Sequence, residues 1–169
     1  MRRNKVVEAF NNRKETTRHC RAIKDFNSNE YFINCYVWII NEKNQILIRQ
    51  RCGHLKTNPN KWETISTIVD YEDDISSKAA YRIVGEEYNI TITMDSLEYI
   101  GCYKRTRDFV DVWLVRSNAT KRQVKIPADR VQDIAWVSPK KYEQMIKEGI
   151  AVNTSFDMFR KYYKNFYNK

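Results

Sequence analysis

Long apolar runs are missing from this chain. The most hydrophobic stretch, residues 33–40, is too short for a membrane span and is interrupted by Asn34, which argues against a transmembrane helix. The first 19 residues, MRRNKVVEAFNNRKETTRH, are basic but hold no hydrophobic segment and no small-residue cleavage site. They do not read as a secretory signal. Cysteine and histidine are scarce: Cys20, Cys35, Cys52 and Cys102 form no CxxC pair, and His19 and His54 are the only imidazoles. These spacings argue against structural zinc and fit free thiols in a reducing, cytoplasmic setting. No block of five or six like charges occurs, nor any internal repeat or low-complexity segment.

What is present is globular. A length of 169 residues with 42% hydrophobic and 30% charged side chains is enough for one domain with a real core. The net charge of +9 favours polyanionic partners: nucleotides, diphosphates or nucleic acid. The cations are scattered, as in Arg2-Arg3, Lys104/Arg105/Arg107, Lys121-Arg122 and Lys140-Lys141, so nucleic acid is the less favoured partner.

Along the chain, residues 31–40 (YFINCYVWII) are β-branched and aromatic and predict a strand. A polar turn, NEKN, leads to a second strand at 45–51, a hairpin pattern. Residues 62–69 predict a further strand, followed by an acidic turn and a helix over about 75–88 with Asp73 or Asp74 as its cap. Strands are expected at 97–104 and 109–115 around a charged turn, and at 134–137. Ser138-Pro139 supplies an N-cap and first-turn proline for a helix ending near Gly149. A last helix starts at Thr154 or Ser155; Phe156, Phe159, Tyr163 and Phe166 share one of its faces, a pattern for packing on the sheet. This order predicts a mixed-sheet α/β sandwich.

Residues 58–90, NPNKWETISTIVDYEDDISSKAAYRIVGEEYNI, carry the functional signal. Glu86 and Glu87 lie one helical turn after Arg82, with Asp74 just ahead of the helix. Vicinal carboxylates suit a hard divalent cation, which takes oxygen ligands and shares substrate phosphates. Read alone, the same three residues could be an ordinary solvated helix face.

This segment resembles the box of the Nudix hydrolase superfamily, Gx5Ex7REUxEExGU, where U is a bulky aliphatic residue. Anchored on Arg82, the pattern places Glu86 and Glu87 on its EE pair, Val84 and Ile90 on its aliphatic positions and Asp74 on its first glutamate. VWIINEKNQILIRQR, NPNKWET and IAWVSPKKYEQM resemble the flanking elements, so the likeness spans about residues 31–148, nearest the branch related to isopentenyl-diphosphate isomerase. It implies an α/β/α sandwich with a mixed sheet: one domain over 1–169, a core at about 31–148 and a C-terminal helix at about 154–167. It also implies Mg²⁺ or Mn²⁺ on Glu86 and Glu87, Arg82 orienting a glutamate, Asp74 pairing with Arg82, a small-molecule diphosphate substrate and a homodimer.

Departures from the pattern are specific. The first glycine is Ile68, with Thr67 before it, where β-branched residues resist a left-handed backbone. The glutamate after the arginine is Ile83, which helical spacing places on the face of Glu86 and Glu87. The last glycine is Asn89, which tolerates a left-handed C-cap, and Gly85 lies within the helix. Isomerase chemistry is set aside, since its cysteine and histidine positions fall on Thr67 and Val69, and Cys52 and His54 lie earlier. Lys104, Arg105 and Arg107 are candidates for phosphate contact or for a merely solvated turn. Asp111 and Asp133 are candidates for a further acid, and Trp62 for packing beside the box loop. Two functions follow: a metal-dependent hydrolase of a diphosphate linkage, or a binding module of the same fold, impaired in catalysis, for a nucleotide, RNA or protein.

Overall fold

Strand β3, Phe32–Ile40, sets the architecture because it is apolar on both sides. Ile33, Cys35, Val37 and Ile39 enter one buried cluster, while Tyr36, Trp38 and Ile40 enter another. A strand buried on two faces needs a layer of chain over each. The computed structural model describes residues 5–167, with side chains to Lys164.

The main sheet has seven strands in mixed orientation. β3 runs parallel to β8 (Asp108–Arg116), in register from Phe32↔Asp108 to Ile40↔Arg116. β8 pairs antiparallel with β7 (Glu98–Lys104). The expected hairpin after β3 forms its turn, with Asn44 in the left-handed region. Beyond Ile40↔Ile46 the second strand, β4 (Ile46–Arg51), swings away. It pairs instead with β5 (Trp62–Glu63) and β9 (Val131–Val137). The expected single strand at 62–69 is therefore two: β5 stays with β4, and β6 (Ile65–Ile68) joins β3. Buried Thr64 makes the break, its hydroxyl donating to the Val37 carbonyl at 2.7 Å.

Helix α1 (Ser76–Arg82) covers one face with Ala79 and Ala80 and runs on into a π-helical turn, Ile83–Glu87. α2 (Pro139–Lys147) and α3 (Phe156–Tyr167) cover the other. The Ser138 hydroxyl accepts from the Lys141 N–H, as the cap pattern predicts. The aromatic stripe of α3 packs inward: Phe159 stacks on Trp38 with ring centroids 4.7 Å apart, and Phe156 is 5.7 Å from the same ring. Phe166 of that stripe lies outside the described side chains.

Sequence reasoning missed an N-terminal hairpin, β1 (Val6–Phe10) with β2 (Thr16–Ala22). Val7 and Ala9 alternate inward and pack with Phe26 on Ile68. Among the described residues no helix is long and apolar enough to cross a membrane.

Because Phe159 is fully buried against Trp38, Phe159→Ala should lower unfolding free energy by about 3–5 kcal/mol, read from urea denaturation.

Candidate active site

The box segment is built around Arg82, at the end of α1. Its Nε and Nη2 bond the two oxygens of Asp73, each at 2.6 Å, and Asp73 is buried. Hydrogen bonding to Asp73 holds the Arg82 pKa above its usual value, against the cost of burial. Two parallel charge-assisted bonds are the strongest contact available to a guanidinium. Asp73 also accepts from the Asp70 N–H at 2.9 Å, which ties the acidic turn down.

The expected Asp74–Arg82 pair does not form. Asp74 has φ +64, points its exposed carboxylate to Lys78 at 3.3 Å, and leaves the arginine to its neighbour. Neither aspartate caps the helix by a side-chain bond; the N-cap residue is Ile75. One residue of displacement separates the box alignment from the contact, because the left-handed step at 74 turns its side chain outward.

The π-helical turn decides the next positions. The Tyr88 N–H reaches the Ile83 carbonyl at 3.3 Å, five residues back, and such a turn holds more residues than an α-helical one. Spacings of three and four therefore no longer share a face. Ile83, expected beside the carboxylates, is 1% exposed within the core cluster. A glutamate at this position would be buried among hydrocarbon. Asn89 takes φ +54, the left-handed conformation expected at the last box glycine.

Glu87 lies on the wall of a cleft of about 810 Å³. Arg82 Nη1 approaches one of its oxygens at 3.5 Å, and Arg130 bonds the other. Glu86, beside it in the same π-helical turn, is exposed and does not line the cleft. The cleft is also lined by Lys5, Arg49, Arg51, Lys56 and Arg130 against two acids, Glu87 and Asp129. A concave surface with this excess concentrates anions.

Arg49, buried within β4 at the base of the cleft wall, bonds Glu63 (2.8 and 3.1 Å), the Tyr88 hydroxyl (2.9 Å) and Ser66 Oγ (2.9 Å). Burial opposes its charge, yet Tyr88 and Glu63 keep its pKa raised. Burial likewise raises the Tyr88 pKa, so the hydroxyl stays neutral. Arg51 shares Glu63 at 2.9 Å, so one carboxylate serves two guanidinium groups.

Several expected site residues fall elsewhere. Lys104 lies 4.3 Å over the Tyr31 ring, Arg105 pairs with Asp108, and Arg107 reaches the Phe26 carbonyl; none lines the cleft. Asp111 is buried and paired with Lys14, and Asp133 with Lys121. Trp62 packs against the α2–α3 layer. Cys52 and the other three cysteines are free thiols, and the His54 ring meets the Asp129 carbonyl at 3.1 Å. Sequence reasoning missed Arg130, Arg49 and Glu63. The last two had a signal, a charge inside each of two apolar segments, ILIRQR and WETIS.

If Asp73 anchors the loop, Asp73→Asn should cost about 2 kcal/mol of stability. Asp74→Asn should stay within about 0.5 kcal/mol in the same urea titration. Burial opposes ionisation of Asp70, but Lys5 at 2.7 Å, the Glu72 N–H and Arg82 hold its pKa below the usual value. Its contribution is therefore present above the ordinary carboxylate pKa of about 4 and lost as pH falls through the lower folded value. Lys5→Ala should reduce stability at pH 7, and the difference from wild type should shrink as pH drops below that range.

Comparison with known proteins shows the family and the fold. The model of the NUDIX domain matches residues 31–157. The chain is 27% identical over 144 residues to an uncharacterised Nudix hydrolase of Listeria innocua, covering 84% of this chain and 85% of that one. The DR0079 crystal structure from Deinococcus radiodurans superposes with TM-score 0.73 at 18% identity, over 93% of this chain and 98% of its own. A bifunctional NMN adenylyltransferase/ADP ribose pyrophosphatase of Francisella tularensis, solved with AMP and a Mn ion, superposes with TM-score 0.55 at 18% identity. That likeness covers 80% of this chain and 41% of the Francisella chain. With the family model matching well over half its length, the chain belongs to the Nudix domain family.

Proposed function

We propose that this protein is a Nudix-type hydrolase. It splits the diphosphate linkage of a nucleoside diphosphate derivative or similar small molecule, with Mg²⁺ or Mn²⁺ at Glu86 and Glu87. The observation that carries this reading is Glu87 in the wall of a cation-rich cleft of about 810 Å³. The Francisella relative, named for ADP ribose pyrophosphatase activity and holding Mn, is consistent with it.

Among the described residues no three His, Cys, Asp or Glu side chains come together as metal ligands. Mg²⁺ asks for less: one or two carboxylates, with water and substrate phosphates completing the shell. Glu87, on the cleft wall, meets the one-carboxylate form of that requirement; Glu86, its exposed neighbour, is not part of the cleft lining and would join only from the rim. When bound, the ion supplies neutralisation of phosphate charge and a more acidic water.

The chain's own residues supply the rest. Arg51, Lys56 and Arg130 bind phosphate oxygens, Arg130 and Arg51 through the fork that a lysine lacks. Arg82, immobilised on Asp73, positions the Glu87 carboxylate. Arg49, fixed by Glu63, Ser66 and Tyr88, holds β4, β5, β6 and the π turn in one frame, so the phosphate-binding residues keep their places before substrate arrives.

Two observations favour a second reading, a binding module impaired in catalysis. Ile83 fills the core where the box has an acid, and Glu87 is neutralised by two arginines. The two readings separate in one assay with Mg²⁺ or Mn²⁺: formation of the two phosphomonoesters from nucleoside diphosphate derivatives, and of pyrophosphate or phosphate from triphosphates. The hydrolase reading predicts metal-dependent turnover that Glu87→Gln reduces by at least about a hundredfold, the upper end for losing a partner of a metal site. Ligand-induced thermal stabilisation without turnover of any substrate would move the protein to the binding reading.

A further inference from the structure

The two guanidinium groups on Glu87 are not equivalent. Arg82 is anchored by its paired bonds to Asp73, and its contact with Glu87 is long, 3.5 Å. Arg130 bonds the other Glu87 oxygen, and its side chain is 42% exposed beside the cleft. The Arg130 backbone is fixed: its N–H donates to the Pro127 carbonyl at 3.0 Å, and its carbonyl accepts from the Cys52 N–H at 3.1 Å. The guanidinium can therefore change partner while the fold stays still.

We propose that Arg130 is a substrate-sensing residue: it neutralises Glu87 in the free chain and transfers to an entering diphosphate, which frees the Glu87 carboxylate for a divalent ion. The inference rests on the hydrolase reading above. A phosphate offers the guanidinium fork the same paired acceptors as a carboxylate, with more charge behind them. Arg130 holds Glu87 by one bond from a half-exposed side chain, so an acceptor of higher charge in the cleft can take it, whereas Arg82 stays with buried Asp73. Diphosphate and cation then promote each other, since each removes the other's competitor. Such coupling is reciprocal by thermodynamic necessity.

Removing Arg130 should accordingly move two affinities in opposite directions. Inorganic pyrophosphate binding, by calorimetry in metal-free buffer, should weaken about tenfold in Arg130→Ala, the scale of one lost charge-assisted hydrogen bond. Mn²⁺ binding to the phosphate-free protein, by the resonance of free Mn²⁺, should tighten severalfold. Lys56→Ala removes a cation from the same cleft without touching Glu87; it should weaken pyrophosphate and leave Mn²⁺ nearly unchanged. Arg130→Lys, which keeps the charge and loses the fork, should fall between wild type and Arg130→Ala in both, guarding against misfolding of the alanine variant. Mn²⁺ affinity that is unchanged or weaker in both Arg130 variants, or raised equally by Lys56→Ala, would overturn the proposal. So would the absence of Mn²⁺ binding in wild type and variants alike. Opposed shifts in a protein with no turnover would support the exchange and count against hydrolysis, so the two claims fail separately.

Discussion

The bidentate contact between Arg82 and Asp73 organises the functional end of this molecule. It closes the acidic turn onto α1, fixes the guanidinium that approaches Glu87, and brings that turn within reach of Lys5 from the N-terminal hairpin. Removing either partner would leave the other as a buried or half-buried charge without its counter-ion, which is far costlier than the net gain from the pair. The cleft inherits its shape from this constraint. Arg82 spends its two short bonds on Asp73 and meets Glu87 only at 3.5 Å.

A second charged frame lies behind the first. Arg49, Glu63, Ser66 and Tyr88 join β4, β5, β6 and the π turn, the elements at which the two halves of the sheet diverge. The π turn is central to both frames. It sends Ile83 and Val84 into the core and lets Tyr88 reach Arg49, while Glu87 stays at the cleft. Insertions of this kind in a helix recur at functional sites.

Much of the fold could be read from local pattern. The strand at 31–40, the Ser138-Pro139 helix start and the left-handed Asn89 all follow from rules acting within a few residues. Where those rules failed, the cause was identifiable. Face assignment by 3.6-residue spacing failed at Ile83 because the helix widens there. Alignment chose Asp74 over Asp73 because a box pattern carries no information about a positive φ. Arg130 gave no local signal; only the tertiary fold brings it to Glu87, 43 residues earlier in the chain. The N-terminal hairpin escaped notice because its short alternation, Val7 and Ala9, is weak alone. It explains Ile68, which is no strained substitute for a glycine: it sits in extended β6, and its side chain packs in the apolar pocket under that hairpin.

In the proposed exchange, Glu87 becomes available when phosphate takes Arg130. A crystal of the protein soaked with Mn²⁺ and a non-hydrolysable diphosphate analogue tests it most directly, through the anomalous signal of the metal. The account predicts a peak against the Glu87 carboxylate, with the Arg130 guanidinium on a phosphate oxygen. Metal bound away from Glu86 and Glu87, or Arg130 still paired with Glu87 beneath a bound diphosphate, would contradict it.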